Sequence, residues 1–138
     1  MKKLIFVFIL LVWSQLLHGQ SWIDDTNFGD TIADNSTFDD TKSIIIIEFY
    51  ADFNKQNAFH EWEKLDEIDG VKYFRCDITK APSAKKEYRI RMVPTILIFS
   101  EGEAFIKFKA KAGLDLLCPV DLPKMLRAIE VVKRESQF

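Results

Sequence analysis

Residues 43–50, Ser-Ile-Ile-Ile-Ile-Glu-Phe-Tyr, constrain the fold more than any other stretch of this sequence. From Ile44 to Tyr50 every residue is β-branched or aromatic except Glu48. That composition favours a strand over a helix. It shows no alternation of apolar and polar positions, so the strand must be covered on both faces, at the centre of a sheet. The rest of the chain has to supply those two covering layers.

The remaining segments fit that demand. Phe59, Trp62, Leu65 and Ile68 repeat at helical spacing, which predicts an amphipathic helix over 57–68. Gly70 is placed to end it. Val71 to Asp77 reads as a second strand, and Pro82 opens a short helix, Pro-Ser-Ala-Lys-Lys-Glu-Tyr. Thr95 to Ser100 reads as a third strand, turned at Glu101-Gly102 into a fourth. In that fourth strand Ala104, Ile106, Phe108 and Ala110 alternate with charged residues, and Phe105 breaks the pattern on the polar side. Asp121 is an N-cap for a last helix whose expected apolar face is Leu122, Met125, Leu126, Ile129 and Val132. Strands alternating with helices and closed by a hairpin predict a mixed α/β sheet of about four strands with helices on both faces.

The N-terminal residues differ in kind. Lys2 and Lys3 precede an unbroken apolar run, Leu4 to Val12, and Gly19 supplies a small residue for cleavage. This is the layout of a secretory signal peptide over residues 1–19, too short for a comfortable membrane span. The competing reading is an uncleaved N-terminal anchor. Residues 20–42 are polar and acidic, with a weak first helix expected near 28–38, and 43–138 form the folded domain. Asn35-Ser36-Thr37 matches the N-glycosylation pattern.

Loss of Lys2 and Lys3 takes the formal charge from −2 to −4. With no positive excess and no basic stripe, nucleic acid is not an expected partner. An exported chain with two cysteines, Cys76 and Cys118, has no disulfide framework, so packing must stabilise it.

In this order the strings Ile-Glu-Phe-Tyr-Ala-Asp-Phe (47–53), Cys-Asp-Ile-Thr-Lys-Ala-Pro (76–82), Tyr-Arg-Ile-Arg (88–91) and Val-Pro-Thr-Ile-Leu-Ile-Phe-Ser-Glu-Gly-Glu (93–103) resemble the thioredoxin family. The likeness covers roughly 43–110 well, the last helix loosely and 20–42 poorly. It implies the thioredoxin fold. It also carries one departure: where the family has Cys-Gly-Pro-Cys, this chain has Asn54-Lys55-Gln56-Asn57. Thiol–disulfide exchange needs a thiolate to attack and a second sulfur to resolve, and an amide supplies neither. No dithiol oxidoreductase activity and no catalytic residues are expected.

Asn is among the best helix N-caps, so Asn54 is expected to cap the following helix, contributing about 1 kcal/mol over Ala. The other reading adds contact between the Asn pair and a ligand. The resemblance places Glu48 and Arg75 where the family has a buried acid and a lysine, read here as a buried ion pair. Phe53 stands at the family's exposed tryptophan. Val93-Pro94 matches its cis-proline element, either as a structural turn or as backbone that pairs with an extended peptide. Phe53, Asn54, Asn57, Val93 and Pro94 thus form a candidate binding groove.

Cys76 is expected to be a buried, inert thiol on the sheet face opposite Glu48 and Arg75. Cys118, before Pro119, should lie on the other side, which opposes a bridge between the two cysteines. An accessible Cys118 of low pKa would support an alternative, a mixed disulfide with a partner. His60 has no companion at metal-ligand spacing, so no metal and no cofactor are implied. The expectation is an exported, periplasmic or secreted module. It binds another protein or extended peptide, or serves as a small subunit of an envelope assembly, and no span remains after cleavage.

Overall fold

The structure, a computed structural model, describes residues 21–33, 43–110 and 116–136. The signal-peptide reading, the glycosylation motif at Asn35 and the second half of the first expected helix lie outside the described residues.

Five strands form one mixed sheet in the order β1-β3-β2-β4-β5. The strand read first from the sequence, β2 (Ile44–Tyr50), lies at the centre. It pairs in parallel with β3 (Val71–Asp77) and antiparallel with β4 (Thr95–Ser100), which turns into β5 (Glu103–Lys109). The turn residues Glu101 and Gly102 both have positive φ, +51° and +80°, matching the twist of a tight hairpin. The fifth strand, β1 (Ser21–Ile23), was not expected, since the reading was about four strands with an irregular start. Its three residues are too few to show a period, and it is held by parallel pairing to β3.

The isoleucine run divides between two cores. Ile45, Ile47 and Phe49 point to one face, against Ile23, Leu97, Phe99 and Cys76, under α1 (Phe28–Ile32) and α3 (Pro82–Glu87). Ile44 and Ile46 point to the other, with Ile96, Ile98, Phe59 and Leu65, beneath α2 (Trp62–Asp66) and α4 (Leu122–Glu135). Each of these isoleucines is almost wholly buried, and burying such a side chain contributes about 1.5–3 kcal/mol. Because Ile23 and Phe28 sit in the first core, residues before 43 are integral to it.

Two helices depart from expectation. The segment 57–68 is not one helix: a 3₁₀ turn, Asp52–Asn57, is followed by extended Ala58 (φ −64°, ψ 158°), and α2 begins only at Trp62. In α4, Leu126 is exposed and Ala128 takes the buried position expected of it. Asp121 does cap α4, its Oδ1 accepting from the Lys124 N–H at 2.9 Å. Of the expected face of the last strand, Ala104 is exposed, Ile106 and Phe108 pack against the second core, and Ala110, just past the end of β5, is buried.

Candidate functional site

The 3₁₀ turn after β2 carries Phe53, Asn54 and Asn57, and the loop before β4 carries Val93 and Pro94, whose peptide bond is cis. Asn54 is not an N-cap. Its φ and ψ, −124° and 19°, are non-helical, and its side chain is 5% exposed. Its Nδ2 donates to the Val93 carbonyl at 2.9 Å and to the Leu116 carbonyl at 3.1 Å, while its Oδ1 accepts from Asn57 Nδ2 at 2.6 Å. Capping needs partners within one turn, whereas the partners of this amide lie 39 and 62 residues away. The amide instead satisfies carbonyls of two distant loops, the buried one of Val93 and the half-buried one of Leu116, which would otherwise lack this donor.

This arrangement changes the expected groove. Asn54, Val93 and Pro94 are buried, and the Val93 carbonyl already accepts from Asn54. Asn57 is half-buried. Phe53 alone of the five stands open, 71% exposed. Leu117, which sequence reading missed, is 61% exposed and follows the Leu116 that Asn54 binds, so the Asn54 joint brings the two apolar side chains to one end of the sheet.

Beneath the turn, Glu48 and Arg75 face each other in register, with Arg75 Nε 3.2 Å from Glu48 Oε1. The contact is ionic without hydrogen-bond alignment, and these two atoms have no other hydrogen-bond partner. The second oxygen, Oε2, accepts from the Phe59 N–H and from the Tyr73 hydroxyl, both at 2.8 Å. Burial holds the Glu48 carboxyl above the usual carboxylate range, against the lowering effect of Phe59, Tyr73 and Arg75. Burial and Glu48 itself push the Tyr73 phenol well above its ordinary value. Glu48 thereby pins the backbone where the expected helix breaks.

The thiols lie apart. Cys76 is in the first core, opposite the Glu48 face, and burial pushes it up to about 12. Cys118 packs against the second core, donates to the Val120 carbonyl at 3.3 Å, and is raised by burial to about 11. The low-pKa thiol required by the mixed-disulfide alternative is therefore not what this environment produces. His60 is exposed, its Nε2 3.1 Å from the Gln56 carbonyl, and among the described residues no group of three potential ligands could hold a metal.

Solved structures share this architecture. A mutant thioredoxin from Halobacterium salinarum NRC-1 is 21% identical, with a TM-score of 0.62 over 81% of this chain and 88% of that one. A thioredoxin from Malassezia sympodialis is 18% identical, with a TM-score of 0.60 over 83% and 91%. A designed protein matches with a TM-score of 0.62 at 21% identity, over 82% and 96%. At these identities the likeness is one of fold. The sequence profile described as Thioredoxin matches residues 21–118, the span from β1 to Cys118, and the chain belongs to the thioredoxin family.

Proposed function

We propose that this chain is a thioredoxin-family member without dithiol chemistry, exported by its N-terminal segment and acting as a binding module for another protein or an extended peptide. The carrying observation is the state of Asn54. Redox exchange needs a thiolate that can leave its surroundings and attack, whereas Asn54 is buried and committed to Val93, Leu116 and Asn57. The position works as a fixed joint. Beside the joint two large apolar side chains stand open among exposed Asp52, Lys55 and Gln56: Phe53 and Leu117, the type of exposed anchor that binding surfaces use. Among the described residues no helix is long and apolar enough to cross a membrane.

Two assays test this reading. Disulfide reduction in a protein substrate, with dithiothreitol as electron source, should not rise above the dithiothreitol background; acceleration would overturn the redox-inert assignment. Capture of a binding partner from native envelope extract should be lost in the double variant Phe53→Asp/Leu117→Asp while its unfolding midpoint stays unchanged. Equal capture by the variant would remove Phe53 and Leu117 from the binding surface.

A further inference from the structure

Four cations gather at a place that the sequence, with its acidic balance, does not announce. Arg89 and Arg91 come from the segment after α3, and Lys107 and Lys109 from the outer strand β5. With Met92 and Thr95 they line a concavity of about 370 Å³. The register explains the convergence. Lys107 pairs with Leu97 and Lys109 with Thr95, so both lysines rise on the α3 face of the sheet, beside the segment that carries the arginines.

The fold itself uses only one of these charges. Lys107 Nζ donates to the Tyr88 carbonyl at 2.7 Å and the Arg89 carbonyl at 3.3 Å, tying the end of α3 to the sheet edge. That end is a Schellman-type stop: the Ile90 N–H donates to the Lys85 carbonyl and the Arg89 N–H to Lys86. The left-handed residue of the motif, usually glycine, is Arg89 at φ +53°. A non-glycine residue there is disfavoured, yet this chain has a long cation where glycine would be easier. Arg89, Arg91 and Lys109 have no carboxylate partner among the described residues. Burial and the charges of Lys109, Arg89 and Arg91 all lower the Lys107 ammonium, so the site repels itself. A multiply charged anion would relieve that repulsion.

We propose that this concavity is a binding site for a compact oxyanion of the phosphate class carrying at least two negative charges, held by Arg89, Arg91 and Lys109 and braced by Lys107. Guanidinium groups match phosphate oxygens in paired hydrogen bonds, and the volume falls within the roughly 300–1,000 Å³ of small-molecule pockets. The same chemistry is offered by a free oligophosphate and by a lipid headgroup.

The test is calorimetric titration of the purified protein with tripolyphosphate, alongside flotation with vesicles of phosphatidylglycerol. The wild-type chain should bind tripolyphosphate saturably and more weakly as salt rises. Arg91→Gln/Lys109→Gln should weaken binding by about tenfold or more, as expected when charge-assisted hydrogen bonds are lost. Lys133→Gln/Arg134→Gln, which removes the same charge from the end of α4, should not. Arg91, Lys109 and Arg134 are exposed and Lys133 is half-buried, and matching unfolding midpoints would confirm that both variants fold. Vesicle binding that tripolyphosphate displaces identifies a headgroup as the source; tripolyphosphate binding alone identifies a free compound. Absence of saturable binding, equal losses in the two variants, or vesicle binding that tripolyphosphate does not displace would overturn the assignment.

Discussion

The side-chain amide of Asn54 donates to the main-chain carbonyl of Val93 across 2.9 Å, joining the turn after β2 to the loop before β4. The same amide reaches Leu116, and its oxygen receives Asn57, so one residue closes three segments against each other. In this chain that end of the sheet is a structural joint.

A joint made by a donor has a signature that a helix cap lacks. Aspartate is as good an N-cap as asparagine, so Asn54→Asp would be nearly neutral if Asn54 were capping. Here the donor is the functional part, and a carboxylate would face two carbonyls with no proton to give. Asn54→Ala should cost about 1–3 kcal/mol, the penalty for buried acceptors left without a donor, and Asn54→Asp should cost more than Ala. Urea unfolding of the three proteins orders them; an Asp variant as stable as wild type would restore the capping reading.

Glu48 sets a pH dependence of unusual sign for a carboxylate. Its folded pKa is raised, chiefly by burial, so the folded state holds a proton that the unfolded state releases. Its stabilising effect is therefore complete below the ordinary carboxylate range and is lost as pH rises through the higher folded value. Gln at 48 keeps an acceptor for Phe59 and Tyr73 but does not titrate, so the fall in stability with rising pH should flatten in Glu48→Gln. Glu48→Ala, which orphans Phe59 N–H, Tyr73 Oη and Arg75 Nε, should cost about 3 kcal/mol at neutral pH. Denaturant unfolding across the weakly acidic range measures both effects; an unchanged slope in Glu48→Gln would show that Glu48 is not the titrating group.

The two cysteines provide a chemical test of the same cores. With thiols raised to about 12 and about 11, the thiolate fraction of even Cys118 at pH 8 is roughly a thousandth. Native alkylation by iodoacetamide should be slow at both and become fast for both in denaturant. Rapid modification of Cys118 in the folded protein would reopen the mixed-disulfide route that its burial argues against.

These sites show where reading a sequence succeeds and where it stops. The strands β2, β3 and β4 were legible because a run such as Ile44–Tyr50 has one physical solution, burial on both faces. The cap of α4 was legible because Asp121 and Lys124 lie three residues apart. The helix expected over 57–68 was not, because the Phe59 N–H donates to Glu48, eleven residues earlier, and extended Ala58 follows from that anchor. Asn54 was misread for a related reason: its partners lie 39 and 62 residues away, and propensity carries no information about them. The cationic concavity was missed because Arg-Ile-Arg (89–91) and Lys-Phe-Lys (107–109) are each unremarkable; only the pairing of β4 with β5 brings them together. Leu117 gave no signal at all, since its exposure depends on where the loop before α4 is held.

The N-terminal segment is fixed by a joint of the same long-range kind, and it too can be titrated. The first residues of α3 need partners for their N–H groups, and its cap residue, Ala81, offers no side-chain oxygen. Asp25 supplies them from 58 and 59 positions away: its carboxylate accepts from the Ser83 N–H at 2.8 Å and the Ala84 N–H at 3.1 Å. The backbone N–H of Asp25 in turn donates to the Lys80 carbonyl at 3.2 Å. These bonds hold β1 beside β3 and lower the Asp25 pKa, chiefly through Ser83. A depressed folded pKa gives stability that is complete above the unfolded value and is lost as pH falls through the folded one. Asp25→Asn, which keeps one acceptor oxygen and removes the charge, should lower the melting temperature at pH 7. The difference from wild type should narrow as pH falls below the ordinary carboxylate value, where Asp25 itself becomes protonated. Thermal unfolding of both proteins at several pH values measures that gap; a gap of constant size through the acidic range would mean that shape rather than charge fixes the segment, and that α3 does not depend on a carboxylate for its first turn.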